Sequence, residues 1–142
     1  MRFWDSSALV PLFVDERHSD RVQLWLKSDP EVTVWALTRV ELMSMIARRE
    51  RQFPGAAVEI QAARRRILDA WQRWPEIADL DRVRRQAERV VAIHPLRAAD
   101  ALQLGAALVA AEGDPSTLEF VTLDRRLAGA AEREGFPVFG LD

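Results

Sequence analysis

The sequence predicts an α/β/α sandwich, a short parallel central sheet flanked by helices, formed as a single domain over residues 1–142. Two observations predict it. Short β-branched and aromatic runs alternate with longer helical patterns, the order expected of strand–helix–strand units. With 142 residues and 49% hydrophobic content, the chain can bury a full core and is too apolar for disorder. No repeat, low-complexity tract or linker divides it.

Arg2 to Trp4 reads as a strand, followed by a helix opening with serine as N-cap and carrying Pro11 early. His18-Ser19-Asp20 opens a second helix that Asp29-Pro30 ends. Val32-Thr33-Val34-Trp35 reads as the second strand. Thr38 and Glu41 have capping-box spacing ahead of Leu42, Met43, Met45 and Ile46. Phe53-Pro54-Gly55 breaks the chain before a long helix over 56–70, and Pro75 favours a turn or a short edge segment. Asp79 or Asp81 caps a helix reaching about Val91, and Ile93-His94-Pro95 breaks it. An alanine- and leucine-rich helix then spans 98–111 and ends at Gly113-Asp114-Pro115. Phe120 to Leu123 reads as a strand, Asp124 opens the next helix, Gly135 closes it, and Val138-Phe139 forms a last short strand.

Composition removes several function classes. Without cysteine there are no disulfides, thiolate metal sites or cysteine nucleophiles. No apolar run has the length of a membrane span and no secretion signal is evident, so a cytoplasmic protein without membrane contact is expected. A formal charge of −2 argues against polyanion binding driven by net charge, although a local basic patch remains open. Neither histidine pairs at zinc-like spacing, and no phosphate-cradling glycine loop or serine elbow occurs.

Four acids stand out: Asp5, Glu41, Asp100 and Asp124. Asp5 and Asp124 directly follow predicted strands and Glu41 lies shortly after one, so all three fall at the carboxyl edge of the sheet, where function gathers in open parallel sheets. Asp100 sits among alanine and leucine on a helix apolar almost all round. Each has a plainer reading: Asp5 and Asp124 as caps, Glu41 as the capping-box acid, Asp100 as an acid favoured by the helix dipole. Four converging carboxylates would repel one another unless a cation lay between them, and an all-oxygen set suits magnesium or manganese. Thr122 is either an ordinary strand threonine or a hydroxyl directed to the site.

These residues carry a family resemblance. Asp5-Ser6-Ser7-Ala8-Leu9 resembles the first motif of PIN-domain ribonucleases, and Thr38-x-x-Glu41-Leu42 the second. Arg97-Ala98-Ala99-Asp100-Ala101-Leu102-Gln103-Leu104 resembles the third and most specific, and Phe120 to Leu127 the fourth. Order, spacing and length are similar to the VapC toxins of bacterial toxin–antitoxin pairs, with the segment 48–77 matching least well. The resemblance implies a Mg²⁺-dependent endoribonuclease acting on RNA, with Mn²⁺ as the other candidate ion. It further implies an acidic metal site of Asp5, Glu41, Asp100 and Asp124, helped by Thr122 and Ser6, a homodimer, and inhibition by a cognate VapB-like antitoxin.

Asp5 and Asp100 are expected to hold the principal ion directly. Arg39, Arg97 and Arg125 flank three of the acids. Met43, Met45 and Ile46, with Leu12 and Phe13, form either core or a groove for an antitoxin helix, and Arg64-Arg65-Arg66 reads as a solvated face, an RNA contact or an antitoxin surface. Two other classes compete. A phosphatase or phosphoacceptor with Asp5 as nucleophile lacks the second aspartate, since Ser7 stands there, and lacks a sheet-edge lysine. A non-catalytic RNA- or partner-binding module on a degenerate nuclease fold would not require the four acids.

Overall fold

The computed structural model describes residues 1–141. It contains β1 (Arg2–Trp4), α1 (Ser6–Phe13), α2 (Ser19–Ser28), β2 (Val32–Trp35), α3 (Thr38–Gln52), α4 (Ala57–Trp71), β3 (Glu76–Ile77), α5 (Leu80–Ile93), α6 (Ala98–Ala110), β4 (Glu119–Val121), α7 (Arg125–Glu134) and β5 (Val138–Phe139). The strands form one five-stranded sheet in the order β3-β2-β1-β4-β5, every pairing parallel. This is the predicted α/β/α sandwich. The chain steps outward from β1 to β2 and β3, then returns to lay β4 on the other side of β1. That reversal makes a crevice at the carboxyl ends of β1 and β4, where sheets of this kind bind ligands.

Side-chain alternation along the strands divides the core into two layers. Phe3, Trp35 and Phe120 face α5, α6 and α7. Trp4, Val32, Val34 and Val121 face α1, α2, α3 and α4. The three inner strands β2, β1 and β4 bury almost every side chain, as parallel strands covered on both faces do, while the edge strands β3 and β5 stay partly exposed.

Two predicted helix starts differ in detail. Asp5, not a serine, occupies the N-cap position of α1, and its side chain makes no capping bond. At α3 the capping box does not form: Leu37 is the N-cap, and the Thr38 and Glu41 side chains are both bonded to Gln103. The partner across the helix interface outcompetes the local backbone for both groups. Asp79 and Asp124 do cap, accepting from the Arg82 and Leu127 backbone N–H groups, and Gly135 ends α7 at φ 105°, a left-handed conformation natural for glycine.

The two hairpin-like helices α5 and α6 approach closely at Gly105. A Cβ there would lie 2.8 Å from the Val83 carbonyl oxygen and 3.0 Å from the Ala87 nitrogen, both backbone atoms that cannot swing aside. Gly105→Ala is therefore expected to destabilise the protein by about 1–3 kcal/mol despite the higher helix propensity of alanine. Thermal denaturation checks this; an unchanged or raised midpoint would show that the helices separate freely.

Candidate active site

Asp5 lies one residue beyond β1. Its backbone N–H donates to the Val121 carbonyl at 3.1 Å, so the β1–β4 ladder extends to the site itself. The residue is only 2% exposed. Burial pushes its carboxyl up to about 7, and hydrogen bonds from Ser7 and Thr122 offset only part of that rise. Ser7 is the hub: its hydroxyl donates to Asp5 Oδ1 at 2.8 Å, lies 3.2 Å from Thr122 Oγ1, and accepts from the Leu123 N–H at 2.9 Å. Thr122 Oγ1 accepts from the Asp124 N–H at 3.0 Å. The loop after β4, and Asp124 with it, is thereby tied to the start of α1.

Glu41 projects from the first turn of α3. Gln103 Nε2 donates to its Oε1 at 2.8 Å and Ser6 Oγ to its Oε2 at 3.3 Å. Burial raises its carboxyl, the bonds from Gln103 and Ser6 oppose this, and the charge of Asp100 adds to the rise. Asp100, in the first turn of α6, is raised by burial and then by the charge of Asp124, against the pull of Arg97 and Arg126. Asp5 also senses Asp100. The four predicted acids thus share one sheet edge, where the charge of Asp100 reaches Asp5 and Glu41 and that of Asp124 reaches Asp100.

They do not close into a cage. Among the described residues, no group of three or more aspartate, glutamate or histidine side chains is gathered tightly enough to hold a metal ion by itself. The reason is visible in the bonding: Asp5 is turned to Ser7 and Glu41 to Gln103 and Ser6. The expected four-carboxylate convergence is corrected to a looser arrangement.

The PIN domain family matches residues 2–133. The chain belongs to that family. PIN domains are generally nucleases that use divalent metal ions. No curated protein matches this PIN domain. Two solved structures share its fold: PAE2754 from Pyrobaculum aerophilum, 23% identical over 98% of this chain and 87% of that one with a TM-score of 0.63, and FitAcB from Neisseria gonorrhoeae, 18% identical over 98% and 96% with a TM-score of 0.61. At these identities the likeness is one of fold.

The donor set of this PIN domain fits a hard divalent cation. All candidate ligands are oxygens, and three of the four acids are held above their ordinary values by burial and by one another's charge, which a cation would relieve. The looseness is compatible with magnesium, which retains several waters and takes few carboxylates.

Other predicted residues settle as follows. Trp4 and Trp35 are core, and Ile46, Leu12 and Phe13 are buried. Arg64 pairs with Glu50, and Arg66 donates to the Phe13 and Leu12 carbonyls. Of the flanking arginines, Arg97 acts on Asp100, and Arg126, the neighbour of Arg125, acts on it too. Sequence reasoning gave no role to Ser7 or Gln103. Gln103 was detectable as a polar residue three positions after Asp100 on an otherwise apolar helix, hence on the same face.

The raised carboxyl of Asp5 predicts a pH dependence. Well below 3.8 the group is protonated folded and unfolded alike. Between 3.8 and about 7 the unfolded chain has released the proton while the folded chain retains it, so rising pH favours unfolding. Metal-free protein should lose on the order of 2 kcal/mol from this group between about pH 5 and about pH 7, a slope that Asp5→Asn removes and that divalent metal counteracts at the upper end. Thermal melts in EDTA across that range test it; equal slopes in wild type and variant would contradict it.

Proposed function

We propose that this PIN domain, as a single domain over residues 1–142, is a Mg²⁺-dependent endoribonuclease, the toxin of a VapC-like toxin–antitoxin pair. The observation that carries the nuclease reading is the set of four acids at the switch-point edge of a parallel sheet, three of them raised by burial and mutual charge. The choice of RNA, magnesium, a VapB-like antitoxin, a homodimer and a cytoplasmic setting rests on the motif resemblance, with Mn²⁺ as the alternative ion.

In this reading Asp5 and Asp100 hold the ion directly. A divalent ion there supplies a water of lowered pKa and neutralises charge on the phosphate. Glu41, held by Gln103 and Ser6, and Asp124, fixed by its capping bond, would hold the ion through water or orient the nucleophile. Ser7 and Thr122 keep Asp5 aimed. Arg97 and Arg126 reduce the repulsion an incoming phosphate meets at Asp100.

A groove of about 450 Å³ beside Glu41 supports a single-stranded substrate. Its walls include Leu37, Val40, Met45, Leu102 and Arg48. Met45 and Arg48 also line a second groove that reaches Ser7, the partner of Asp5, and Leu123. Unpaired bases expose the apolar faces such walls fit, and RNA is read by sequence mainly where it is unpaired. Arg48 is exposed and has no ion-pair partner among the described residues, which suits a phosphate contact.

The absence of a closed metal group among the described residues favours one alternative, a non-catalytic module that binds RNA or a partner. Incubating purified, antitoxin-free protein with a cellular RNA pool in Mg²⁺ or EDTA separates the two. Cleavage should require the ion and fall by more than about a hundredfold in Asp100→Asn, beyond what loss of an outer-shell group costs. Folded wild type that binds RNA without cutting would support the module instead. Arg48→Ala should weaken binding of a single-stranded oligonucleotide to Asp100→Asn protein and lower the salt slope by about 1; an unchanged slope would remove Arg48 from the substrate path.

A further inference from the structure

We infer that Gln103 is a positioning residue that aims the Glu41 carboxylate while leaving its charge uncancelled, an inference that rests on the nuclease reading above. Gln103 lies on α6 three residues after Asp100 and is 1% exposed. Its amide donates twice, to Thr38 Oγ1 at 2.9 Å and to Glu41 Oε1 at 2.8 Å. One side chain therefore spans the first turn of α3 from the helix that carries Asp100. With Ser6 on the other oxygen, Glu41 is held at both ends of its carboxylate by two different helices.

Packing alone does not explain an amide here. The neighbouring α6 residues Leu104, Gly105, Ala106, Ala107 and Leu108 are all buried and apolar. Gln103 Oε1 is buried without a partner among the described residues, a cost that an apolar side chain of similar length would avoid. Glutamine brings directed donors without charge. Arginine or lysine would hold Glu41 equally well but neutralise it; an amide fixes the carboxylate and preserves its attraction for a cation. Outer-shell donors of this kind orient ligands and tune affinity at metal sites.

Gln103→Met keeps the length of the side chain and removes both donors. In the full chain, Mn²⁺ or Mg²⁺ titration of the metal-free variant by calorimetry should show affinity about 10–100-fold weaker than wild type, and the Mg²⁺ concentration for half-maximal cleavage should rise in parallel. In a Glu41→Gln background the same change should add little, because the residue acts through Glu41. Unchanged affinity with a lowered melting temperature, or fully additive losses in the double variant, would overturn the inference and leave Gln103 a core tie. Should Gln103→Met not fold, Gln103→Asn withdraws the amide by one methylene and is read the same way. If wild type itself binds no divalent ion and cuts no RNA, the nuclease reading fails and this inference falls with it; if wild type does both and the variants match it, only the inference fails.

Discussion

The site depends on keeping a carboxylate dry at the end of the central strand. Asp5 cannot withdraw to solvent, because its own N–H continues the β1–β4 ladder and the Phe3 and Trp4 side chains before it anchor opposite cores. Burial there destabilises the charged form, and two hydroxyls do not compensate for it. The surrounding structure is organised to tolerate that cost. Ser7 bonds Asp5 and the backbone after β4 together, so the strand pair, the start of α1 and the loop bearing Asp124 move as one piece.

Asp100 reaches the same edge by a different route, since no strand precedes it. Its position is set by helix packing: α6 lies against α5 at a distance that only glycine at 105 permits, and its buried face of Leu104, Ala106, Ala107 and Leu108 fixes the rotation of the helix. The first turn of α6, outside that packed stretch, is left partly exposed at the crevice with Asp100 on it. Precision at the site thus comes from contacts in the core well away from it.

This explains what could be read in the sequence. Strand alternation, turn residues and helix stops are local signals, so β1, β2, β4, β5 and the sandwich class followed from them, and so did the sheet-edge location of Asp5 and Asp124; β3, the two residues after Pro75, carries too little pattern to separate a turn from an edge strand. Groups whose partners are remote in sequence were not legible. The spacing of Thr38 and Glu41 fits a capping box, yet Gln103, 65 and 62 residues away, takes both. Ser6 and Ser7 are equivalent as letters, and only the rotation of α1 gives Ser7 to Asp5 and Ser6 to Glu41. Arg126 likewise acts on Asp100 from the first turn of α7, 26 residues away in sequence.

The protein handles its acids in two distinct ways. Away from the edge, buried or half-buried carboxylates are paired with cations: Glu119 with Arg2, Glu134 with Arg89 and His94, Glu50 with Arg64, Glu16 with Arg49. The arginine-rich composition makes such pairing easily available. At the edge, Asp5 and Glu41 are bonded to hydroxyls and an amide, and the arginines acting on Asp100 stand at the exposed rim. A purely structural acid gains from the nearest guanidinium, because pairing cancels the cost of burying its charge. Neutral donors hold the geometry and leave the negative charge unspent, which is the condition a cation-binding site needs and an ordinary ion-pair network does not.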